Sequence, residues 1–306
     1  MPSPEYLKKG DKVGIIAPAR KISKEEIEPA FRMLESWGLH IVNGKSLFKA
    51  SDQFAGTDEE RATDLQQMID DVSVRAIICC RGGYGTVRLF DKVNFVSFFE
   101  APKWLVGFSD ITVLHSLLHS LYDAVTLHAQ MPINFPKNGI INDSVESLRK
   151  ALFGETITYQ ANPNPLNRTG LATGTLIGGN LSVLASLSGT LLDIDTSNKI
   201  LFIEDLDEYL YHVDRMMINL KLSGKLTNLK GLIVGGMTGM RDNEIPFGKT
   251  AEEIIREAVE EFEYPVCFNF PAGHQEPNMA LYLGREIEMN VTEELSVIEY
   301  TEGSSE

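Results

Sequence analysis

The chain is poor in cysteine, in positive charge and in long apolar runs. It has three cysteines in 306 residues, Cys79, Cys80 and Cys267. An odd count with two adjacent members gives no disulfide framework and points to a reducing compartment. Cys79 and Cys80 close the run Ala76-Ile77-Ile78. A free Cys there reads as a small buried hydrophobe, with a catalytic thiol as the other reading. Lys and Arg number 28 against 43 Asp and Glu, a net charge of -15. A nucleic-acid binder needs a basic face to neutralise phosphates, and no Lys/Arg run supplies one, so no nucleic-acid partner is expected. The same balance argues against anionic membranes. No stretch approaches the ~18 apolar residues of a membrane span. The N-terminus, Met1 to Gly10, lacks the apolar core of a signal peptide, so a cytoplasmic protein is expected. Gly-x-Gly-x-x-Gly and P-loop patterns are also missing, and no cofactor is called for. Low complexity is confined to a frayed tail, Gly303-Ser304-Ser305-Glu306.

What is present is a chain long enough for two domains, with an ordinary 43% of hydrophobic residues. Its first half alternates short apolar runs with amphipathic stretches. Val13–Ala17, His40–Val42, Val74–Cys80, Trp104–Gly107 and Ala124–Leu127 read as strands. Ile22–Trp37, Asp58–Ile69 with its charge on the outer side, a helix opening at Tyr84–Phe90, and Asp110–Leu121 read as helices. Strand and helix in turn imply a flavodoxin- or Rossmann-like parallel sheet with helices on both faces. The Asn- and Pro-rich segment 160–170 reads as a linker, dividing the chain into domains 1–165 and 166–306. The second domain reads as a smaller α/β unit with mixed strands. Lys199–Ile203 is a strand ended by Glu204-Asp205, and Leu229–Val234 is a strand followed by a glycine turn. Thr250–Phe262 is a helix, Val266–Phe270 a strand, and the last residues form two or three short strands.

In open parallel sheets ligands bind at the carboxyl ends of strands, so polar residues directly after strands are the candidates. Ser109 follows Trp104–Gly107 and precedes a helix, whose free N–H groups can hold an oxyanion. The pattern is not Gly-x-Ser-x-Gly, because Ile111 occupies the last position, and a helix N-cap explains the serine as well. Arg81-Gly82-Gly83-Tyr84-Gly85 is a turn that brings backbone close to a ligand, or one that merely needs positive φ. Glu204 could orient a histidine, or could serve a helix start together with Asp205, Asp207 and Glu208. No ligand set supports a metal. His274, between Gly273 and Gln275-Glu276-Pro277, is the best general-base candidate. His115 and His119, at i and i+4, read as packing or interface residues.

These segments occur in an order that resembles the LD-carboxypeptidases, the bacterial muramoyl-tetrapeptide carboxypeptidases. The resemblance is carried by Ile16-Ala17-Pro18, Arg81-Gly82-Gly83-Tyr84-Gly85, Gly107-Phe108-Ser109-Asp110-Ile111-Thr112, Gly178-Gly179-Asn180-Leu181, Ile203-Glu204-Asp205, Asp214-Arg215-Met216 and Gly273-His274. It implies a serine peptidase with Ser109 as nucleophile, His274 as acid/base and Glu204 as the orienting carboxylate. It also implies an oxyanion hole from the backbone N–H groups of Asp110 and Gly83, at a site between domains of a homodimer. The implied substrate is a murein peptide from which terminal D-Ala is removed in wall recycling, with Arg81 or Arg215 on its carboxylate. A branch of the family, the microcin-C immunity-type peptidases that cleave aminoacyl or peptidyl nucleotide conjugates, is the alternative. A non-catalytic small-peptide binder is the other. Ala129 and Gln275-Glu276-Pro277 depart from the family's usual loops, which bears on specificity.

Overall fold

The computed structural model describes residues 3–301, so the tail expected to fray, 303–306, lies outside it. The chain forms two compact units. One runs to Ile157 and takes back Met279–Tyr282; the other holds Thr158–Asn278 and the chain from Leu283 onward.

In the first unit the elements are β1 (Lys12–Ile16), α1 (Lys24–Ser36), β2 (His40–Asn43), α2 (Asp58–Asp70), β3 (Val74–Cys79), α3 (Val96–Glu100), β4 (Trp104–Gly107), α4 (Thr112–Tyr122), β5 (Thr126–His128) and α5 (Asp143–Phe153). Reciprocal capping boxes start α1 (Ser23 with Glu26) and α2 (Thr57 with Glu60). The sheet order β5-β4-β3-β1-β2, with all these pairings parallel, is the flavodoxin-like order. Helix-covered strands of this kind are apolar on both faces, and β4 is buried at every residue. The order reverses between β1 and β3, so the loops after β1, β3 and β4 emerge around one crevice edge.

Three local expectations change. The segment after the glycine turn is a 3₁₀ helix, Thr86–Lys92, rather than the start of an α-helix at Tyr84. One 3₁₀ turn, Ser109–Ile111, precedes α4. The charge of α2 is not all outward: Arg61 and Asp64 are 1% and 2% exposed. Asp64 faces inward because it accepts the backbone N–H groups of Lys45 and Ser46, both at 2.8 Å, at the loop after β2.

The second unit contains β6 (Tyr159–Ala161), β7 (Gly170–Asn180), α6 (Leu181–Leu187), β8 (Ile200–Leu206), α7 (Leu210–Leu222), β9 (Gly231–Thr238), α8 (Ala251–Ala258) and β10 (Val266–Cys267). The next strand, β11 (Leu281–Leu283), instead lies beside β5 in the first sheet. Within the first unit Ala280 N–H donates to Ser147 Oγ (2.9 Å), Tyr282 Oη donates to the Ala151 carbonyl (2.7 Å), and the Tyr282 ring packs on Trp104. Strands β12 (Glu286–Val291) and β13 (Ser296–Tyr300) complete a mixed sheet of order β10-β9-β8-β7-β12-β13-β6. Strands β7 to β10 are parallel; β12, β13 and β6 join antiparallel. The segment read as a linker thus holds a strand already, β6, paired with β13. Two expected strand ends also move. Strand β8 continues through Glu204-Asp205 with a register shift, and Gly235-Gly236 lie inside β9.

Candidate active site

The residues singled out from sequence fall into two sets, one in each unit. In the first unit, Ser109 has φ +64. A non-glycine residue held in the left-handed region costs on the order of 1–3 kcal/mol and persists only where its surroundings over-determine it. An N-cap serine has extended backbone, so the simple capping explanation does not describe Ser109. Ser109 sits against the glycine turn: a Cβ on Gly82 would fall 3.2 Å from Ser109 Cβ and 3.3 Å from its Oγ. Gly83 has φ +110 and lies against Arg20. The backbone N–H groups of Gly83 and Asp110 donate to no protein acceptor among the described residues.

Two buried side chains hold these loops. The Asp110 carboxylate accepts the Thr86 N–H at 2.9 Å, joining the loops after β3 and β4; burial raises its pKa. Arg61 donates to the carbonyls of Pro18 and Gly85 and pairs with Asp58, joining the loops after β1 and β3. The environment of the cysteines argues against a catalytic thiol. All three are buried, and burial pushes their thiols up, Cys267 to about 11 and Cys79 and Cys80 further.

In the second unit, His274 Nδ1 lies 2.6 Å from Glu204 Oε2, and the same oxygen accepts the His274 backbone N–H at 3.1 Å. Because an ionised carboxylate only accepts, Nδ1 carries the proton and Nε2 is the nitrogen left for chemistry. Glu204 is fully buried. Burial works against the imidazolium, but the hydrogen bond and charge of Glu204, with the charge of Asp205, outweigh it and raise the His274 pKa above 6.5. Asp205 does not start the next helix. It accepts Asn180 Nδ2 (2.9 Å) and Ser182 N–H (2.8 Å), and burial with the Glu204 charge lifts it to about 6. Gly273, at φ +93, crosses so closely that a Cβ there would lie 2.5 Å from Glu204 Cβ. Gly273→Ala is therefore expected to destabilise the protein by about 1–3 kcal/mol from strain alone. It should also lower activity, because the Glu204–His274 pair must move; thermal melting and turnover check both.

Arg81 and Arg215 both have internal partners. Arg81 Nη1 donates to the Lys21 carbonyl at 3.1 Å and lies 3.7 Å from Glu26. Arg215, exposed on α7, stacks over the Tyr211 ring at 5.2 Å. Sequence reasoning passed over Arg61, took Asp205 for a helix-start acid, and took His115 for a packing or interface residue. A single charge on an amphipathic helix or at a strand end carries no mark of burial, so only the tertiary contacts reveal them.

Residues 13–129 match the LD-carboxypeptidase N-terminal domain and residues 173–289 the LD-carboxypeptidase C-terminal domain. A probable murein peptide carboxypeptidase of Bacillus subtilis is 38% identical over 97% of this chain and 94% of its own. A crystal structure of muramoyltetrapeptide carboxypeptidase from Oxalobacter formigenes superposes with a TM-score of 0.87 at 26% identity, covering 95% of this chain and 99% of that one. The microcin C7 self-immunity protein MccF, solved with aspartyl sulfamoyl adenosine, shares the fold with a TM-score of 0.85 at 21% identity, covering 99% of each chain. Two domain matches in the expected order, and a relative 38% identical over nearly the whole of both chains, place this chain in the LD-carboxypeptidase family of peptidases.

Proposed function

We propose that this protein is a serine carboxypeptidase that releases the terminal D-Ala of murein tetrapeptides, with Ser109, His274 and Glu204 as its triad. The observation that carries the reading is the fully buried Glu204 bonded to His274 Nδ1 at 2.6 Å. It leaves an imidazole oriented to take a proton at Nε2, and a buried carboxylate next to a histidine has few other uses. The strained backbone of Ser109 at the end of β4 supports its role as nucleophile.

His274 Nε2 takes the Ser109 Oγ proton as the oxygen attacks the scissile carbonyl. The backbone N–H groups of Gly83 and Asp110 stabilise the oxyanion. Collapse of the tetrahedral intermediate expels D-Ala, whose amine receives the proton from His274. Water then hydrolyses the acyl-serine by the same steps. Arg81, which follows β3 one residue before the turn that packs on Ser109, is assigned to the substrate carboxylate ahead of Arg215. The family resemblance supports a homodimer in the cytoplasm, acting in wall recycling.

The test is mass spectrometry of purified protein incubated with murein tetrapeptide, with the tripeptide product as control, and separately with an aminoacyl sulfamoyl adenosine. Loss of one D-Ala from the tetrapeptide is expected. Cleavage of the nucleotide conjugate alone would favour the immunity-type reading. The MccF likeness, at 21% identity, speaks for the fold and leaves substrate open.

A further inference from the structure

His115, on α4, is buried at 2% exposure beneath the turn that carries Ser109. Its Nε2 lies 2.9 Å from the Gly107 carbonyl and its Nδ1 lies 2.8 Å from Thr126 Oγ1 on β5. A carbonyl can only accept, so Nε2 carries the hydrogen; Nδ1 is then bare and the Thr126 hydroxyl donates to it. Of the two neutral tautomers, only this one satisfies both ring nitrogens. Burial pushes the His115 pKa down to about 4, consistent with an uncharged ring at neutral pH.

The bonded carbonyl is the last of β4, two residues before Ser109. It is held from two sides, since Ala129 N–H also donates to it at 3.2 Å. The Phe108 ring lies 5.7 Å from His128, which in turn lies 6.3 Å from His115. The left-handed Ser109 must be imposed by what surrounds it, because the conformation is unfavourable for a serine. The Gly107 carbonyl, two residues before Ser109, is a backbone group that a buried side chain grips.

We propose that His115 is a positioning residue for the nucleophile: as a hydrogen-bonded strut from Thr126 to the Gly107 carbonyl, it holds the β4 turn in the conformation that presents Ser109. The inference rests on the reading of Ser109 as nucleophile. His115 does not touch substrate and transfers no proton.

The test compares wild type with His115→Gln, His115→Leu, Thr126→Val and Ser109→Ala on tetrapeptide, reading kcat, KM and melting temperature. A glutamine amide can replace the Nε2–H donor; leucine fills the space without one. His115→Leu is expected to lower kcat by about 10- to 100-fold, the scale of a misplaced reacting group, with KM changed less than about twofold. His115→Gln should restore most of that loss, and Thr126→Val should fall between. In ¹⁵N NMR of wild type, His115 should show the neutral Nε2–H tautomer. His115→Leu at wild-type kcat while Ser109→Ala is inactive would overturn the strut and leave the nucleophile standing. Ser109→Ala at wild-type rate would overturn both. An Nδ1–H tautomer, or Gln failing as badly as Leu, would also overturn the strut, and the tautomer reads out even if the Leu variant does not fold.

Discussion

Ser109→Ala is expected to reduce D-Ala release by at least about 10⁴-fold, to the residual rate that binding and oxyanion stabilisation alone support. In the proposed mechanism, removing Oγ removes the acyl-enzyme and leaves the His274 oriented by Glu204 nothing to act on. Mass spectrometry of released D-Ala measures the loss, and a variant retaining a tenth of wild-type activity would remove Ser109 from the mechanism. The backbone adds a second, independent readout. Ser109 pays for its φ of +64 in stability. Ser109→Gly should therefore be more stable than wild type by about 1 kcal/mol, the strain relieved less the added unfolded-state entropy of glycine, although it is equally inactive. Ser109→Ala keeps the strain and should melt close to wild type. A glycine variant less stable than wild type would mean that the strain at Ser109 is smaller than the unfolded-state entropy that glycine adds.

Glu204→Gln is expected to lower kcat by on the order of 10³- to 10⁴-fold, since an amide no longer enforces the Nδ1–H tautomer of His274 or stabilises its cation. It should also move the pH profile. With His274 as the proposed base, wild-type kcat/KM needs the neutral ring, so activity is expected to rise with pH through the His274 pKa, which lies above 6.5. Removing the Glu204 charge leaves burial, which disfavours the imidazolium, so the acid limb should shift to lower pH. The stability linkage has the opposite sense. A histidine whose folded pKa is raised contributes stability in full below 6.5 and loses it as pH rises through the folded value. The melting temperature of wild type relative to Glu204→Gln should accordingly decline from pH 6 towards pH 8. An unmoved acid limb in the variant would show that the pair does not set the base.

Much of the architecture could be read along the chain because it is local. Apolar runs separated by capped amphipathic helices name parallel strands, and Ser23/Glu26 and Thr57/Glu60 mark helix starts within three residues. Non-local pairing escaped that reading. Strand β6 lies in an Asn- and Pro-rich segment that becomes a strand only because β13 offers an edge. Strand β11 follows His274 in the chain yet joins the first sheet, drawn by Ser147, Ala151 and Trp104.

The candidate site divides in the same way. The sequence by itself determined the polar candidates, Arg81 to Gly85, Ser109, Glu204 and His274, although Glu204 proves to lie inside β8 and His274 well beyond β10. Chain order determined the family they resemble. Only the tertiary structure decided what each of them contacts. It turned Ser109 from an ordinary cap into a left-handed residue against Gly82, and brought His274 across seventy residues onto Glu204. It also buried Arg61, Asp110 and His115 as struts behind the loops. The physical reason is that a polar side chain's role depends on burial and on its partner. Both are properties of contacts between distant segments, and periodicity along one segment does not contain them.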